Sequence, residues 1–121
     1  LQDEETENLT FSESNISAVL AGMKSVTSDE SGTAYVRFKN FDIEVGGKTG
    51  SAEAGKNVNA WFVGFAPFEN PEIAIVVMVE NGGHGNYTAE VVRDIMAEYF
   101  GMNTQNVEED MSATPYVQIL N

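Results

Sequence analysis

Apolar residues at Ile16, Val19, Leu20, Met23 and Val26 fall at i, i+3, i+4, i+7 and i+10, a single stripe at helical spacing. Ser12 stands where an N-cap belongs, its hydroxyl free to accept from a first-turn amide. Phe11 and Ile16 have the N′ and N4 spacing of a hydrophobic staple. The polar run 27–32 ends the helix. Three strand candidates follow, over 43–52, 59–66 and 72–80. The first is rich in glycine, the second in aromatics and closed by Pro67, and the third is β-branched almost throughout. Phe68-Glu69-Asn70-Pro71 has the residues of a hairpin loop. Tyr35–Phe38 is a candidate for a further short strand.

In the third strand Ile73, Ile75, Val77 and Val79 point one way and Ala74, Val76 and Met78 the other. Both sets are apolar, so both faces are expected to be covered. Val91, Val92, Ile95, Met96, Tyr99 and Phe100 form a second helical stripe, with Thr88 as its N-cap and Gly101 as its left-handed stop. Short connections favour antiparallel neighbours. The order helix, three strands, helix predicts an α+β three-layer sandwich. Its antiparallel sheet has three strands, or four if Tyr35–Phe38 joins, with one helix on each face.

The 121 residues allow one domain with a real core. Charge divides them further. Residues 1–30 hold seven acids and one lysine, and 101–121 hold three acids and no base, so the ends are the more acidic parts. The organisation expected is an acidic lead-in over 1–11, a packed unit over 12–101 and an acidic tail over 102–121. Tyr116-Val117-Gln118-Ile119-Leu120 is the one apolar stretch in that tail. The net charge of −13 repels phosphate and argues against nucleic acid and anionic lipid as partners. With no cysteine, disulfides and thiolate chemistry are excluded. The longest apolar run, seven residues, is far short of a membrane span. The acidic start is the opposite of a signal peptide's basic one, so any export signal is expected outside this chain.

Candidate chemistry concentrates in Val45-Gly46-Gly47-Lys48-Thr49-Gly50-Ser51-Ala52-Glu53. On a strand Lys48 and Gly50 share one face, and Thr49 and Ser51 the other. Lys48 supplies positive charge in a strongly negative chain. Thr49 and Ser51 can hydrogen-bond a carboxylate, and free strand amides can pair with an extended peptide. Lys-Thr-Gly taken alone is weak, and a glycine-softened strand with one exposed lysine is the better explanation of it.

The surroundings decide. Gly47 through Ala52-Glu53 is followed by Ala60-Trp61-Phe62-Val63-Gly64-Phe65-Ala66-Pro67, then Pro71-Glu72-Ile73-Ala74-Ile75 and Val79-Glu80-Asn81-Gly82-Gly83-His84-Gly85. A closing helix spans 89–100, and Asn15-Ile16-Ser17-Ala18-Val19-Leu20-Ala21-Gly22-Met23-Lys24 precedes the glycine-rich strand. This succession resembles the C-terminal part of the transpeptidase domain of penicillin-binding proteins, most closely the class B branch. It covers about 90 residues in order and spacing. The resemblance implies that Lys48 sets the electrostatics of an acyl-transfer site. Thr49 and Ser51 would hold the carboxylate of a peptidoglycan stem peptide or a β-lactam, around Gly50. The Ser51 amide would be an oxyanion-hole donor. Serine at 51 replaces the family's more usual threonine and keeps the hydroxyl.

Of the three signatures of such serine acyltransferases, Ser-x-x-Lys, Ser-x-Asn and Lys-Thr-Gly, this chain carries the third as Lys48-Thr49-Gly50. No Ser-x-x-Lys occurs, and Ser12-Glu13-Ser14-Asn15 reads as a helix cap. The resemblance therefore implies a C-terminal fragment of a serine D,D-transpeptidase, inactive alone for want of its nucleophile. A missing upstream part of the domain is the implied partner, in a parent anchored on the extracytoplasmic face of a bacterial membrane. Strands left unpaired by that absence make a homodimer through the exposed sheet edge a further expectation. Two alternatives stand beside this reading: a non-catalytic binding module on the same scaffold, and a piece of a serine β-lactamase or β-lactam sensor.

Other motifs weigh less. A lone histidine, His84, cannot build a metal site, and no metal or other cofactor is expected. Gly82-Gly83-x-Gly85 lacks the Lys-Ser/Thr of a phosphate loop. Trp61, Phe62 and Phe65 read as strand packing before an aromatic binding platform.

Overall fold

The structure, a computed structural model, describes residues 10–102. Its elements are α1 (Glu13–Ser28), α2 (Tyr35–Phe38), β1 (Gly46–Ala54), β2 (Asn57–Ala66), β3 (Ile73–Val79) and α3 (Thr88–Tyr99). The strands form one antiparallel sheet in the order β1-β2-β3. The α+β class and the three-stranded antiparallel sheet are as the sequence predicts. The tail's apolar stretch, 116–120, lies outside the described residues, as does most of the acidic lead-in.

Helix α1 begins as expected, with the Ser12 hydroxyl accepting from the Asn15 amide at 3.3 Å. Phe11 and Ile16 line one shallow apolar groove with Val19 and Leu20. Residues 11–22 are all exposed, so only the C-terminal part of the stripe joins the body of the domain. Val26 packs on the core, and the buried Thr27 donates its hydroxyl to the Val45 carbonyl.

That bond helps explain a shifted boundary. The first strand begins at Gly46 rather than at 43, because the backbone ahead of it is engaged elsewhere. Thr27 takes the Val45 carbonyl and the Phe68 amide takes that of Glu44 at 2.9 Å. At the far end the ladder runs two residues further than expected on each strand, to Ala54 opposite Asn57. Gly55, at φ +66°, makes the tight two-residue turn possible.

Two expectations are corrected. Tyr35–Phe38 is a helical turn and not a fourth strand. Its amides close back locally, Tyr35 on Gly32 and Lys39 on Tyr35, and only Phe38 is buried. Thr88 is the first residue of α3 and not its cap, which is Tyr87. The Thr88 hydroxyl turns inward and donates to the Gly85 carbonyl at 2.6 Å, fully buried. Gly101 stops α3 at φ +65°, as expected.

The core forms where α2 and α3 meet the sheet. Phe62, Val92, Met96 and Ala89 are wholly buried, and Phe38 stacks on Phe62 at 5.9 Å between ring centroids. Helix α3 packs on β2 and β3, and α1 on β1. An Arg37–Glu90 ion pair at 2.9 Å joins α2 to α3. On β3 only one of the two apolar faces is covered. Ile73, Ile75 and Val77 pack on the core, whereas Val76 is 63% and Met78 41% exposed. Nothing among the described residues closes over that second face.

Candidate functional site

Strand β1 lies at the edge of the sheet, so no strand among the described residues pairs with its outer side. Its alternation can be fixed from the glycines. A Cβ at Gly47 would strike the Phe62 ring, and one at Gly46 the Phe65 ring. Positions 47, 49 and 51 therefore share the face of the buried Phe62, and 46, 48 and 50 the opposite face with Phe65.

On the Phe62 side a groove of about 290 Å³ runs beside β1. Thr49, Gly50 and Ser51 form one wall, Thr33 one end, and His84, Gly85 and Asn86 the other wall. The Thr33 and Thr49 hydroxyl oxygens are 2.8 Å apart, and either can be the donor. Thr49 is half-buried while Ser51 is exposed. Two hydroxyls thus open onto one space from alternate positions of an edge strand, an arrangement suited to a planar anion such as a carboxylate.

The second wall is held by packing. Gly85 is buried against the backbone of the sheet: a Cβ there would stand 2.5 Å from the Trp61 carbonyl oxygen and 2.7 Å from that of Gly50. Only glycine lets the loop lie this close. The buried Thr88 hydroxyl then fixes the Gly85 carbonyl, so the start of α3 sets the width of the groove.

Of the four residues the sequence singles out, the structure brings Thr49, Gly50 and Ser51 together and sets Lys48 apart. Lys48 is exposed on the other face, its ammonium donating to the Thr49 carbonyl at 2.6 Å. Thr33 and Asn86 escape a sequence reading, because they reach β1 from loops distant in the chain. His84 was visible only as a lone histidine in a glycine-rich turn. The close glycines at 82 and 85 were the available signal that this turn lies flat on the sheet.

Electrostatically the groove is bare. Among the described residues no Lys, Arg, Asp or Glu lines it, and the ion pairs of Lys24, Arg37 and Arg93 lie elsewhere. In the α1–α2 connection, the Ser31 hydroxyl and amide hold the Asp29 carboxyl below its ordinary pKa. No group of His, Asp or Glu side chains among the described residues is arranged to hold a metal. No described helix is long and apolar enough to cross a membrane.

Comparison with known proteins gives a consistent picture. The family model of the penicillin binding protein transpeptidase domain matches residues 1–97. The peptidoglycan D,D-transpeptidase MrdA of Haemophilus influenzae is 29% identical over 109 residues, which covers 76% of this chain and 17% of that protein. PbpA of Mycolicibacterium smegmatis, also named a peptidoglycan D,D-transpeptidase, is 39% identical over 46 residues, 34% of this chain and 9% of its own length. Among solved structures, Pseudomonas aeruginosa PBP2 superposes with a TM-score of 0.73 at 32% identity, over 92% of this chain and 24% of that one. Each of these relatives is thus several times longer than the part this chain matches.

Proposed function

The chain belongs to the penicillin binding protein transpeptidase domain family, and from that membership we propose that it is the C-terminal portion of a serine D,D-transpeptidase domain. Its α+β fold is a partial form of that domain's fold. In the proposed parent reaction a serine attacks the penultimate D-alanine carbonyl of a stem peptide, expelling the terminal D-alanine. An amine then resolves the acyl-enzyme. This chain contributes one side of the cleft. Thr49 and Ser51 bind the terminal carboxylate of the peptide, or that of a β-lactam. The Ser51 amide is an oxyanion-hole donor. Lys48, on its own face of the strand, is directed toward residues of the upstream part and sets the electrostatics there. The observation that carries the reading is the groove itself: an open edge strand with two hydroxyls of the Lys-Thr-Gly-Ser run on its wall.

The partner that completes the site is the upstream part of the same domain. The uncovered side of β3 and the apolar outer side of α3, where Val91, Ile95 and Tyr99 are 43%, 44% and 54% exposed, offer it a surface. A substrate made of peptidoglycan places the parent at the cell envelope, on the extracytoplasmic side. The expected behaviour is simple to check. A labelled penicillin leaves no covalent band on the chain alone after denaturing electrophoresis, and mixing with the upstream part restores one. A labelled band from the chain alone overturns the fragment reading. Undiminished labelling of the upstream part without this chain overturns the role given to the groove.

A further inference from the structure

The groove beside β1 binds an anion in the reading above, yet the described residues of its walls carry no fixed positive charge. Lys48 points to the opposite face. His84, exposed on the wall facing Thr49 and Ser51, is the one titratable side chain among the described residues that lines the space. We propose that the His84 imidazolium is the cationic partner of a ligand carboxylate in this groove, and that it makes the groove selective for anionic over neutral peptide ends. The inference rests on the carboxylate reading of Thr49 and Ser51 and adds a specificity-determining residue from the β3–α3 loop.

The geometry leaves His84 free for this role. Lys48 and Glu53 on β1, Glu80 beyond β3, Glu90, Arg93, Asp94 and Glu98 on α3, and Asp29 and Glu30 in the α1–α2 connection are the charged residues of the elements that meet here. None of them lines the groove. Glu90 is engaged by Arg37, and Asp29 by Ser31. A doubly protonated imidazole is a donor at both nitrogens and carries a full charge. With His84 protonated the groove holds two hydroxyls and one cation, and with it neutral only neutral donors. Affinity for a carboxylate should therefore fall as His84 gives up its charge, while affinity for a neutral end should not change. Because His84 is exposed, the effect is a modest one, about threefold.

The test follows N-acetyl-D-alanyl-D-alanine by NMR, through the amides of 49–51 and the His84 ring, between about pH 5.5 and 8. The C-terminal amide of the same dipeptide is the neutral control. The expected result is that the acid raises the titration midpoint of His84 and binds about threefold tighter at the low end, and the amide does neither. His84→Gln should abolish the pH dependence and keep the shifts at Ser51. An unchanged His84 titration on saturation with the acid overturns the proposal, as does a pH dependence that survives His84→Gln. Absence of any shift at 49–51 with either dipeptide is a different result, since it overturns the carboxylate reading from which the proposal starts.

Discussion

Trp61 and Phe62 are neighbours in β2, both aromatic, and their environments could hardly differ more. Phe62 is wholly buried beneath α2 and α3, whereas Trp61 is 38% exposed on the opposite face. The contrast extends across the sheet. On the Phe62 side Val92 and Met96 of α3 are sealed from water, and on the Trp61 side Val76 and Met78 of β3 stand open. Apolar residues at such exposure on one face of a strand are unusual for a finished surface and ordinary for an interface. One face of this sheet is therefore a completed core. On the other, Trp61, Val76 and Met78 stay uncovered by any of the described residues.

The sharpest way to break the contrast is to truncate its two sides in turn. Phe62→Ala removes the centre of the core and should cost about 3–5 kcal/mol, enough to unfold a domain of ordinary stability. Chemical denaturation of the 121-residue chain measures it. A loss no greater than that of an exposed substitution would mean that the Phe62 side is no more complete than the Trp61 side. Thr88→Val keeps the shape of α3 and leaves the buried Gly85 carbonyl unpaired, for about 1–3 kcal/mol. It should also loosen the groove wall, which hydrogen exchange at Gly85 and Asn86 would register. The double change Val76→Glu and Met78→Glu should alter stability by no more than about 0.5 kcal/mol while reducing self-association in sedimentation velocity. A monomer before the change, or an unchanged oligomer after it, removes the interface from the comparison.

These regions differed in how much of them could be read from residues alone. Hydrophobic periodicity identified α1 and α3, each of which carries a stripe long enough to fix its type, and composition with flanking turn residues identified the three strands. Local chemistry placed the Ser12 cap and the Gly101 stop. The same logic failed where a residue had a better partner elsewhere in the fold. Thr88 has the side chain of a cap, yet its hydroxyl serves Gly85. Tyr35–Phe38 is too short for a period and folded on its own amides. Apolar residues at Val76 and Met78 announced a covered face without saying whose atoms cover it. In the site, the run Thr49-Gly50-Ser51 was legible because alternation on a strand is a local rule. The end at Thr33 and the opposite wall at His84 were not, since both are brought there by contacts made after the chain has turned back on itself.

The hydroxyls of Thr33 and Thr49, 2.8 Å apart, can exchange roles without any heavy atom moving. When Thr33 donates, Thr49 keeps its own hydrogen to offer outward. When Thr49 donates, it turns only lone pairs toward the space. A visitor's oxygen and a visitor's amide are thus greeted by the same atom, at the expense of one rotation about the carbon–oxygen bond of each hydroxyl.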